Sequence, residues 1–176
     1  MPSPTLKACL NGDRTPQHHP AVPLTPAQLA ADAAATRGAG ATAVHMHPRG
    51  ADGVESMRWT DVGAAVAAVR ARCPGLPIGV STREQIEPDV PTRLRLIAEW
   101  PAPADGGPAF ASVNWHENGA AAVAGLLAER GIGVGSRGCA HRPRGCRSFR
   151  KFFPDQHRDL RICHRNCRWC PVAFVV

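Results

Sequence analysis

Through the first three-quarters of the chain, short apolar runs alternate with longer ones whose apolar positions recur at helical spacing. Residues 5–10 read as a first strand, residues 42–47, 77–81 and 110–114 as the second to fourth, and residues 131–134 as the start of a fifth. The first helix follows Thr25-Pro26-Ala27-Gln28, where Thr25 can cap, Pro26 suits the first turn and Gln28 can complete a capping box. It runs to Arg37 and is closed by Gly38. Residues 59–72 place Val62, Ala65, Val66 and Val69 along one helical stripe before Pro74-Gly75 stops it. A third helix covers residues 91–100 and ends at Pro101; a fourth covers residues 119–130 with Ala122, Leu126 and Leu127 on one face. Trp59, Trp100 and Trp115 fall at element ends, as packing groups. Four and a half βα units with short connections predict a parallel α/β sheet, and they fit a closed (β/α)8 barrel better than a doubly wound sheet. No Gly-rich phosphate fingerprint follows the first strand, which removes the main support for dinucleotide binding.

At 176 residues the chain is short for such a barrel, which typically needs about 250. The expected architecture is therefore a TIM barrel truncated to about its first half, residues 1–134, followed by an irregular Cys/Arg-rich tail, residues 135–176. Charge divides at the same place. The front segment carries 11 Lys+Arg against 12 Asp+Glu and the tail 10 against 2, so the net charge of +7 belongs to the tail. Cysteine follows: Cys9 and Cys73 stand apart, whereas Cys139, Cys146, Cys163, Cys167 and Cys170 crowd together. With no apolar run long enough for a signal or a membrane span, a cytoplasmic protein without disulfides or a membrane partner is expected.

The sharpest chemical feature is Val44-His45-Met46-His47-Pro48-Arg49, at the end of the second strand. Side chains alternate across a strand, so His45 and His47 project to one side and can offer two imidazole nitrogens to one metal. In a parallel barrel the carboxyl ends of the strands surround the active site. Ser81 and Thr82 end the third strand and Ser112 and Asn114 the fourth, so polar groups converge on the same rim. The plainer reading is a pair of strand-end histidines bonded to backbone. A catalytic zinc usually takes three protein ligands, so a third would have to come from elsewhere. His18 and His19 read as exposed loop residues, and His116 as a pocket or helix-start position.

Asn11-Gly12, Pro23-Leu24-Thr25-Pro26, the His45 to Arg49 stretch, Gly79-Val80-Ser81-Thr82 and Ala111-Ser112-Val113-Asn114 occur in an order that resembles the β-keto acid cleavage enzymes, the family of 3-keto-5-aminohexanoate cleavage enzyme. The resemblance runs in register over residues 8–134. It implies a homo-oligomeric (β/α)8 barrel with one divalent metal, usually zinc, that condenses a β-keto acid with acetyl-CoA to acetoacetyl-CoA and a new acyl-CoA. On that analogy His45 and His47 are metal ligands, and Ser81, Thr82, Ser112 and Asn114 bind substrate. Arg14 stands where amine-recognising relatives place a glutamate, so a neutral or anionic keto acid is expected. The family's third ligand, a carboxylate, and its catalytic acid/base come from its second half.

Where the fifth strand should continue as Val-Glu, the chain reads Val134-Gly135-Ser136-Arg137. A frameshift would account for this: with Gly-Ser-Arg spelled GGG TCG AGG, the gene would contain GTC GAG in another frame, which encodes Val-Glu. On this reading the chain is an inactive fragment. The alternative takes the tail at face value: Cys163, Cys167 and Cys170 as a zinc knuckle on a basic segment that binds nucleic acid.

Overall fold

A computed structural model describes residues 6–137, with side chains through residue 135. Five strands, β1 (Lys7–Cys9), β2 (Ala43–Met46), β3 (Ile78–Ser81), β4 (Phe110–Asn114) and β5 (Gly133–Arg137), form one parallel sheet in the order of the sequence. Helices α1 (Pro26–Gly38), α2 (Trp59–Arg72), α3 (Val90–Ala98) and α4 (Ala120–Glu129) occupy the four crossovers. Each crossover moves one strand further in the same direction, as in the wall of a (β/α) barrel, whereas a doubly wound sheet reverses at a switch point.

The local signals act as the sequence predicts. Thr25 accepts from the Gln28 amide at 3.2 Å and the Gln28 side chain accepts from the Thr25 amide at 3.0 Å, which completes the capping box of α1. Asp89 caps α3 by accepting from the Thr92 amide. Val62, Ala65, Val66 and Val69 are the buried stripe of α2. They pack in one core with Leu29 and Ala33 of α1, Ile97, Leu127, and the strand residues Ala8, Val44, Met46, Ile78, Val80, Ala111 and Val113.

Four details differ. Helix α1 includes Gly38, and the left-handed turn falls at Gly40, with φ of 101°. Helix α4 buries Ala120, Val123 and Leu127, with Ala122 exposed, because in an alanine-rich helix several stripes look alike and docking selects among them. Trp100 is buried and donates its indole N–H to the Met57 carbonyl at 2.8 Å, whereas Trp115 lies at the surface, 41% exposed. Strand β5 continues to Arg137, in register with Asn114, past the point where the side-chain pattern ends. Strand pairing uses backbone groups, so β4 can template a strand whose side chains carry no period.

Candidate active site at the strand ends

The residues that alternate with the core positions face the other way. Cys9 lies in register with His45, His45 with Gly79, Gly79 with Phe110, and Ser81 with Ser112. Gly79 makes this face possible, because a Cβ there would stand 2.0 Å from the Phe110 ring. Through that gap Phe110 reaches His45, with ring centres 6.5 Å apart and planes inclined by 24°. Lys7 places its ammonium 5.8 Å from the Phe110 ring centre.

His45 and His47 are both buried, with ring centres 5.3 Å apart and planes at 89°. The pair therefore projects to one side, as the alternation predicts. The His47 backbone is clamped by Asn11, whose side chain accepts from the His47 N–H at 2.9 Å and donates to the His47 carbonyl at 2.9 Å and the Pro23 carbonyl at 3.2 Å. The His47 ring meets a partner that sequence reasoning missed: its Nδ1 is hydrogen-bonded to the carboxylate of Glu55. The other Glu55 oxygen accepts from Arg83, which also donates to Asp13 at 3.1 Å. Loops after three successive strands are thus joined by Asp13, Glu55 and Arg83. Burial pushes the Glu55 carboxyl up, but its bonds to His47 and Arg83 outweigh this and hold it below the ordinary range. The Arg83 guanidinium likewise lowers Asp13.

The remaining predicted residues share the rim but not one cluster. Ser81 accepts weakly from the Arg83 amide at 3.4 Å. Thr82 donates to the Ser112 carbonyl at 2.6 Å, so its proton ties β3 to β4. Asn114 donates to Glu117 at 2.6 Å, and Glu117 also accepts from the Glu84 amide. Arg14 is exposed, and its carbonyl accepts from Arg49 at 2.8 Å. His18, His19 and His116 are exposed.

Among the described residues no three His, Cys, Asp or Glu side chains are grouped to hold a metal ion. His45 and His47 are two side chains of the type that holds a divalent ion, and among the described residues no third such side chain is grouped with them. The cysteines and arginines of the proposed zinc knuckle also lie outside the described residues. No helix among the described residues is long and apolar enough to cross a membrane.

The sequence profile of the family described as beta-keto acid cleavage enzyme matches residues 5–168. The chain belongs to that family. Within this β-keto acid cleavage family, it is similar to a 3-keto-5-aminohexanoate cleavage enzyme of Fusobacterium nucleatum, with 33% identity over 75 residues. That alignment covers 43% of this chain and 28% of the relative, so the matched stretch spans under a third of the relative's length.

Proposed function

We propose that the chain carries the metal-binding and keto-acid-binding part of a β-keto acid cleavage site. The observation that supports this best is the buried His45 and His47 pair, set at the strand ends of a family member on the sheet face that also carries Ser81, Ser112 and Asn114. Neutral imidazoles of His45 and His47 would hold a divalent ion, zinc by its preference for nitrogen donors, and leave it its full charge. When bound, that ion supplies Lewis-acid stabilisation of negative charge on the β-keto oxygen. The Ser81 and Ser112 hydroxyls and the Asn114 amide would orient the keto acid's carboxylate and carbonyl through hydrogen bonds. Arg14, exposed on the first loop, disfavours an ammonium and favours a neutral or anionic side chain on the substrate.

Mass balance corrects the expected products. One acetyl-CoA brings one CoA, so only one thioester can leave: the C–C bond formed joins the acetyl group to the two-carbon end of the keto acid. The bond broken lies between that end and the acyl group, which takes the CoA. The products are acetoacetate and a new acyl-CoA.

On this reading the third ligand and the catalytic acid/base come from chain outside residues 6–137. Resequencing the gene through the codons for Gly133 to Gly138 tests the frameshift. Val-Glu followed by further βα units in the restored frame is the expected result. The restored protein, supplied with zinc, acetyl-CoA and a 3-oxo acid lacking an ammonium, should form acetoacetate and the matching acyl-CoA by mass spectrometry. A restored protein that forms neither would remove this reading.

A further inference from the structure

We propose that Glu55 is the positioning residue for His47: its carboxylate holds the proton on Nδ1 and so presents Nε2 as the nitrogen a metal would take. This rests on the metal reading above. A neutral imidazole carries one proton, and a carboxylate oxygen at Nδ1 can only accept it, which leaves the lone pair on Nε2. Which nitrogen faces a metal is set by the bond the other nitrogen makes, and an acid partner also makes the ring a stronger donor.

The sequence separation of Glu55 from His47 is eight residues, and the intervening turn is built to close it. Asp52-Gly53 forms the reversal: Gly53 adopts φ of 78°, its amide donates to the Gly50 carbonyl at 2.9 Å, and Asp52 accepts from the Val54 amide at 3.0 Å. The Gly50 amide then donates to the Val54 carbonyl and the Ser56 amide to the Pro48 carbonyl, both at 2.9 Å, so that Arg49 and Glu55 face each other across an antiparallel bridge. Arg49 closes the turn from inside, donating to the Gly53, Gly12 and Arg14 carbonyls at 2.9, 3.2 and 2.8 Å.

The result is a carboxylate with little freedom. The Glu55 side chain is 11% exposed, with one oxygen on His47 and the other on Arg83. Asn11 fixes the His47 backbone and Glu55 the ring, so both ends of the side chain are determined by groups other than a metal.

The test uses the full chain with Cys139, Cys146, Cys163, Cys167 and Cys170 replaced by serine, so that tail thiols do not compete for zinc. Zinc affinity, from competition with a chelator, is compared for this parent and its His45→Ala, His47→Ala, Glu55→Gln and Glu55→Ala variants. Ring nitrogen–proton correlation spectra, taken without zinc, report the His47 tautomer. The parent should show the Nδ1–H form. Glu55→Ala should lose that preference and bind zinc about 10–100-fold more weakly. Glu55→Gln, whose amide oxygen can still accept, should keep the tautomer and lose less affinity. Circular dichroism shows whether each variant is folded, and the Gln variant keeps the proposal testable if the Ala variant is not. Zinc binding indifferent to both histidine substitutions overturns the metal reading and this role with it. Binding that needs both histidines, with tautomer or affinity unchanged in Glu55→Ala, overturns the role of Glu55 alone.

Discussion

The two faces of the sheet are made from the same strands and differ in nearly everything else. On the helix side, Val44, Met46, Ile78, Val80, Ala111 and Val113 are apolar and buried among the helices. One residue along each strand, the opposite face carries His45, Ser81, Ser112 and Asn114, with Phe110 spanning Gly79 to reach His45. Apolar burial stabilises in proportion to area and needs no particular partner, so the helix face tolerates some exchange of one aliphatic residue for another. Polar groups buried on the other face each need a hydrogen-bonding partner, which makes that face specific and easily disturbed. Stability is concentrated on one side and chemistry on the other.

That separation can be broken from either side. The largest effect is expected on the helix face: Leu29→Ala, at a fully buried position, should lower unfolding free energy by about 2–5 kcal/mol while leaving the histidine pair intact, as read by chemical denaturation. Gly79→Ala attacks the opposite face by forcing the Phe110 ring away from its seat; about 1–3 kcal/mol is expected from overpacking, together with a change in the ring contact to His45 visible in histidine ring spectra. Thr25→Ala should cost about 1 kcal/mol through the lost cap of α1, with no effect on the strand ends. A thermal melt distinguishes it from the two larger cases.

The smallest effect concerns the charges that join the loops. The Asp13 carboxyl is held below its ordinary value of 3.8 by Arg83. A depressed carboxylate contributes stability that is present above the ordinary value and is lost as pH falls through the depressed one. Asp13→Asn should therefore be less stable than the parent at neutral pH and match it at sufficiently low pH. Because the Asp13 side chain is 66% exposed, the neutral-pH difference should be no more than about 0.2–1 kcal/mol. A difference that persists unchanged into acid would place the effect elsewhere.

Much of this was legible in the sequence because it depends on local rules. Period 2 places His45 beside His47 and opposite Val44 and Met46; Thr25, Pro26 and Gln28 mark the start of α1; Val62, Ala65, Val66 and Val69 mark the buried stripe of α2. The misreadings arose where the signal is degenerate, as in the alanine-rich α4, or belongs to the backbone, as in the continuation of β5 to Arg137. Glu55 escaped because its role depends on the turn that brings it back to His47. Asp52-Gly53 was the available sign of that turn. Arg83 and Asp13 bring together loops 70 positions apart, a relation that no local pattern contains.

The most direct test of the central claim is X-ray absorption at the zinc edge of the full chain with its five tail cysteines replaced by serine, loaded with one equivalent of zinc. The account predicts a shell dominated by nitrogen and oxygen, with Zn–N about 2.0–2.1 Å and the outer-shell pattern of two imidazoles, lost on His45→Ala or His47→Ala. A zinc shell without imidazole, unaffected by either substitution, would contradict it.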